Sequence, residues 1–78
     1  MDNLERVREI IADVTQNPVE LITENSSSRN VDGWDASAQT TIIATIEMDL
    51  GVTFETEEAT TLTSVRKIMQ ALKFQVAA

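Results

Sequence analysis

The chain contains no cysteine and no histidine, and only two glycines, one proline and three aromatic residues among 78. Without thiols or imidazoles there can be no disulfide, no cysteine nucleophile, no histidine-based triad and no ordinary zinc site. The scarcity of glycine, proline and aromatics argues against a turn-rich β-sandwich and leaves a helical chain as the default. No apolar run approaches the ~20 residues that cross a bilayer, and no charged-then-apolar leader opens the sequence. Any active site would have to be built from carboxylates and hydroxyls alone, and the acids show no paired spacing that suggests one. The expectation is a soluble, cytoplasmic, non-enzymatic domain occupying residues 1–78, with no metal ligands. Nothing resembles a long heptad run, so a monomer is expected.

What is present fits that frame. Hydrophobic residues make up 42% and charged residues 24%, which is too apolar for intrinsic disorder. A chain this short buries only about 60% of its extended surface on folding, so its stability must be modest. Thirteen acids against six bases give a net charge of -7. That sign disfavours nucleic acid and anionic membranes and favours a basic protein surface as partner. The charge is also localised. Asp32, Asp35, Glu47, Asp49, Glu55, Glu57 and Glu58 lie between Asn30 and Val65 with no base among them, while acids and bases balance elsewhere.

Four helical segments are predicted. Leu4, Val7, Ile11 and Val14 recur at i, i+3, i+7 and i+10, with Ile10 widening the stripe, which places a helix over about residues 3–16. Asn3 would cap it, Asp2/Arg6 and Glu5/Arg8 would pair along it, and Pro18 would stop it. Residues 17–33 show no sustained period. Val19, Leu21 and Ile22 are available to pin this connection to a core, and the polar run 24–30 has loop composition. Its three serines suit a solvated loop better than a phosphosite. Residues 40–46 are rich in β-branched side chains, and propensity alone would make them a strand. Periodicity and punctuation disagree. Ile42, Ile43, Ile46 and Leu50 fall at helical offsets, Asp35 is a good N-cap and Gly51 a good left-handed terminator, so a helix is expected over about 36–50. Thr56 would cap a short helix beginning Glu57-Glu58 and ending near Thr61. A last helix opens at Thr63, carries Val65, Ile68, Met69 and Leu72 inward, and places Lys73 near its C-terminus. Residues after Phe74 should fray. The predicted fold is all-α: a small bundle of three main helices and one short one, with a long loop after the first.

The stretch Val31-Asp-Gly-Trp-Asp-Ala-Ser-Ala-Gln39, followed by a helix ending Ile46-Glu-Met-Asp-Leu-Gly-Val52, resembles the acyl carrier protein family. The likeness is strongest to freestanding carriers in which tryptophan precedes an Asp-Ser-Leu attachment motif. It extends over nearly the whole chain, from the first amphipathic helix to a last helix opening with Thr-Ser-Val. The resemblance implies that a serine just after the aspartate carries 4′-phosphopantetheine, whose thiol holds an acyl or aminoacyl cargo as a thioester. It also implies as partners a phosphopantetheinyl transferase and loading enzymes with basic docking surfaces. In that setting Asp35 would assist the modifying enzyme as well as cap the helix. Trp34, Thr40, Glu47, Met48, Asp49, Glu57 and Glu58 would belong to the partner face, although a packing role suits Trp34 better.

The chain departs from this pattern at its centre. An ungapped match through Trp34, Asp35, Glu47, Leu50 and Gly51 puts Ala36 at the attachment position and Ser37 where leucine belongs. Alanine has no oxygen to phosphorylate. Three readings remain open: Ala36 replaces a serine to hold the chain unmodified, the chain is a relative that has lost modification and only binds partners, or Ser37 is modified instead. A shift of one residue turns a helical side chain by about 100°, so Ser37 would present its hydroxyl in another direction. A second departure is the absence of acids from Ala36 to Ile46. This points away from a housekeeping fatty-acid carrier and toward a specialised pathway, such as a secondary metabolite, a polysaccharide modification or an aminoacyl group. The alternative function is a non-carrier interaction module of the same fold that binds a basic partner through its second helix.

Overall fold

The first apolar stripe folds as its period demands. In helix α1 (Asn3–Thr15), Val7, Ile10 and Ile11 are buried, and Leu4 and Val14 pack partly against the same core. The computed structural model describes residues 3–75, with side chains through Lys73. Because α1 already includes Asn3, that residue lies in the first turn, and the capping position falls outside the described residues, as does Asp2. The Glu5–Arg8 pair forms at 2.9 Å. Arg6 turns instead to Glu9 and across to Asp49. The helix stops at Gln16, which adopts a φ of 60° while the Asn17 N–H donates to the Ala12 carbonyl at 2.9 Å. This is a Schellman closure, and Pro18 only bars the helix from resuming.

Helix α2 (Ala36–Leu50) settles the conflict between propensity and period in favour of the helix. Ala38, Ile42, Ile43 and Ile46 are buried along one side. The side-chain oxygen of Asp35 accepts the Ala38 N–H at 2.8 Å, so the expected cap is in place. Gly51 ends the helix at φ 67°, and the Val52 N–H returns to the Glu47 carbonyl at 3.3 Å. The threonines tolerate the helix because each hydroxyl finds a carbonyl one turn back: Thr40 to Ala36, Thr41 to Ser37 and Thr45 to Thr41.

Helices α3 (Thr56–Thr61) and α4 (Val65–Gln75) complete the order. Two expected boundaries shift. Thr56 is the first helical residue of α3, not its cap; Glu55 occupies that position and makes no side-chain capping bond. Helix α4 begins two residues after Thr63, capped by Ser64, whose Oγ accepts the Lys67 N–H at 3.1 Å. Thr63 is held back because its carbonyl accepts the Ser28 N–H at 2.9 Å, in an extended pairing with the long connection. Val65, Ile68, Ala71 and Leu72 of α4 are buried. The expected fraying lies outside the described residues. Among the described residues the fold is all-α with no named strand, and no helix is long and apolar enough to cross a membrane.

The connection from α1 to α2 is exposed over most of the polar run 24–30, as expected, but it is pinned to the core at a few points. It starts with a 3-10 turn, Val19–Leu21, whose Leu21 is 64% exposed and so does not pin it. Ile22, Val31 and Trp34 are the buried anchors. Arg8 of α1 donates to the Ile22 and Val19 carbonyls. Ser26 is buried, and its Oγ accepts the Thr23 N–H at 2.8 Å. Ser27 forms an isolated antiparallel bridge with Ser64, flanked by the Val65 N–H donating to the Ser26 carbonyl at 3.0 Å. The loop then passes so close to the end of α1 that a Cβ on Gly33 would lie 3.0 Å from the Thr15 carbonyl oxygen.

The two glycines therefore differ. Gly33 combines a φ of 88° with that contact, whereas a Cβ on Gly51 would meet nothing within 4 Å. Gly51→Ala should cost about 1–2 kcal/mol, the ordinary penalty of a left-handed alanine. Gly33→Ala should cost about 2–4 kcal/mol, because the carbonyl contact adds strain to that penalty. Urea unfolding of the two variants checks both the values and their order.

Candidate functional site

The start of α2 is the most distinctive local structure in the chain. The pinned connection delivers Trp34 into the core at 4% exposure, and the next residue, Asp35, caps the helix in an extended conformation. Ala36 and Ser37 follow as exposed first-turn residues, while Ala38 is buried. The first N–H groups of a helix lack intrahelical partners and lie at the positive end of its dipole, which suits a phosphate or another anion. Position 36 is thus open to solvent at a helix N-terminus, beside the Asp35 carboxylate that takes the Ala38 N–H, and it carries a methyl group. The covalent arm implied by the family resemblance does not fit there, because no oxygen is present to form the ester. Ser37 is exposed and does have a hydroxyl.

The other expected partner-face residues divide into groups. Trp34 is a packing anchor, as its burial requires, and its indole N–H donates to Gln39 Oε1 at 2.7 Å. Thr40 and Met48 are exposed on α2, Met48 at 85%. Glu47 and Asp49 are committed within the fold. Glu47 Oε2 accepts the Phe54 N–H at 2.8 Å and so holds the turn after α2. Asp49 pairs with Arg6, which also binds Glu9 at 3.1 Å. The hydrogen bonds that Arg6 donates, to Asp49 first and then to Glu9, raise the pKa of its guanidinium above the ordinary value. Glu57 and Glu58 are exposed in the first turn of α3, with no cation in ion-pair range among the described residues. The acidic side chains between Asn30 and Val65 that make no bond among the described residues are therefore Asp32, Glu55, Glu57 and Glu58, at and beside α3 and in the connection, whereas Asp35 is engaged as the cap of α2.

Gln39 matters to the site, although sequence reasoning noted it only as a place where an acid was missing. Its Nε2 donates to the Ala59 carbonyl at 3.0 Å and to the Leu62 carbonyl at 2.8 Å, at the C-terminal end of α3. With the Trp34 bond this one amide joins the loop, α2 and α3. The available signal was a lone amide between buried Ala38 and Ile42, at the border of an apolar stripe. Between α2 and α3 lies an open groove of about 280 Å³, lined in part by Thr40, Ile43, Ala44, Phe54, Ala59 and Thr60.

No protein-family model matches the chain, and no curated protein matches it. The arrangement at α2 is consequently read from its own geometry.

The two roles of Asp35 can be separated. Asp35→Ala should lower stability by about 1 kcal/mol through loss of the cap, whereas Asp35→Asn, which keeps an accepting oxygen, should cost only a few tenths. Denaturant melts of both variants test this. The asparagine variant then provides a folded chain that lacks the charge beside position 36.

Proposed function

We propose that the chain is an acyl carrier protein blocked at its attachment position, acting in its unmodified form as a docking module for a partner protein with a basic surface. The observation that carries this reading is the exposed, Asp35-capped start of α2 at the end of a long pinned connection, with Ala36 as its first residue. In a serine-bearing form, a phosphopantetheine arm would supply the thiol that holds an acyl or aminoacyl cargo. The chain itself contributes position and charge. Its helix N-terminus favours an anionic group, and exposed Glu57 and Glu58 favour lysine- or arginine-rich partners. No side chain is asked to act as acid, base or nucleophile, and a chain without cysteine is suited to a cytoplasmic setting. The acid-free segment 36–46 favours a specialised pathway over fatty-acid synthesis. The second reading, an interaction module that never carried an arm, is supported by the same Ala36.

Coexpression with a phosphopantetheinyl transferase, followed by intact-mass measurement, distinguishes these readings. The chain as it stands should keep its mass, and Ala36→Ser should gain the mass of the arm. If the unaltered chain gains mass and Ser37→Ala abolishes the gain, the site is Ser37 and the block does not exist. If Ala36→Ser also stays unmodified, the carrier reading fails and the interaction module replaces it.

A further inference from the structure

The geometry points to Gln39 as a relay that couples the approach to α2, through Trp34, to the seating of α3. This coupling does not depend on the carrier reading. It follows from the chemistry of one side-chain amide, which has an accepting end and a donating end. The accepting end is taken by the Trp34 indole N–H at 2.7 Å. That contact fixes the orientation of the amide, because an indole nitrogen only donates. The donating end must then face α3, where it reaches the Ala59 and Leu62 carbonyls at 3.0 and 2.8 Å. Rotating the amide by half a turn would set its oxygen against both carbonyls and its N–H₂ against an N–H. The indole and the two carbonyls thus demand the same orientation, so the Trp34 bond reinforces the hold on α3.

Helix α3 is the element most sensitive to that hold. It has six residues, none of them buried, and its last carbonyls have no further helical turn to bond. It packs on the core through one partly buried residue, Ala59, and is otherwise attached at its ends, by buried Phe54 and Leu62, by the Glu47 bond to the Phe54 N–H, and by Gln39. Glu47 and Gln39 both belong to α2, so α3 is gripped from one helix at its two ends, with the groove between them. Elements with few buried contacts open locally before the whole chain unfolds. Two arrangements follow: α3 seated with the Gln39 amide oriented, and α3 released with the amide free. Trp34 biases that balance without touching α3 through its own polar group. Since Trp34 immediately precedes the Asp35 cap, whatever displaces the approach to α2 also loosens the wall of the groove.

Amide hydrogen exchange on the full chain tests the relay. Trp34→Phe removes the indole N–H but keeps an aromatic ring in the core. It should speed exchange at the Ala59 and Leu62 amides about tenfold relative to the Ile11 amide of α1, the effect of losing one net hydrogen bond. Gln39→Glu, which retains an acceptor for Trp34 and loses the donors, should release α3 at least as much. Trp34→Phe added to Gln39→Glu should then speed exchange at α3 no further. The reverse direction must also hold, because coupling is reciprocal. Thr60→Pro, which breaks α3 from within, should speed exchange of the Trp34 indole proton. Unchanged α3 exchange in Trp34→Phe, a rise shared equally with Ile11, or additive effects in the double variant would overturn the proposal. If Trp34→Phe does not fold, the Thr60→Pro measurement decides alone, and an indole proton that stays protected there overturns the relay.

Discussion

The structure depends on closing a long connection over a core too small to be built from helices alone. Among the described residues, α1, α2 and α4 each bury four hydrophobic residues, while Ile22, Val31, Trp34, Phe54 and Leu62 come from segments outside the helices. Without them the apolar stripes would have open ends. A connection that supplies core residues must also satisfy its own backbone. It does so through neighbours distant in sequence. Arg8 takes carbonyls of the 3-10 turn, the Asn17 side chain donates to the Asp32 carbonyl at 2.8 Å, and residues 26–28 pair with residues 63–65. The same constraint sets where α2 begins, since Trp34 must be inside before Asp35 can cap.

The legible parts of the fold were those governed by local rules. Helix α2 could be identified against its propensity because Asp35 and Gly51 mark its ends and the isoleucines keep a helical period. Both act within a few residues along the chain. The errors arose where the deciding partner was remote. Thr63 looked like the opening of α4, but pairing with Ser28 keeps it extended and passes the cap to Ser64. Leu21 looked like an anchor beside Ile22, but at the 3-10 turn, which Arg8 of α1 holds by the Val19 and Ile22 carbonyls, only Ile22 is buried. Residues 24–30 are largely exposed as their composition indicates, and only the burial of Ser26 was not legible in it.

The candidate site was legible in the same measure. The position of Asp35, Ala36 and Ser37 at an exposed helix start followed from capping rules. The use of the acids did not. Sequence counts placed Glu47 and Asp49 with the free charge, yet one is engaged by a backbone N–H and the other by Arg6. Net charge is a property of composition, whereas free charge depends on which cations and donors the fold brings close. Gln39 was missed for a related reason, because its three partners lie five, 20 and 23 residues away.

The threonines of α2 have a consequence for how that helix meets a neighbour. Hydropathy counts Thr40, Thr41 and Thr45 as polar, but each has spent its only proton on a carbonyl of its own helix. A molecule approaching that side finds methyl groups and oxygen lone pairs, with Met48 beyond them. It can donate to this surface but receive little from it. The exposed side of α2 is thus one that asks its neighbour for donors and offers few of its own.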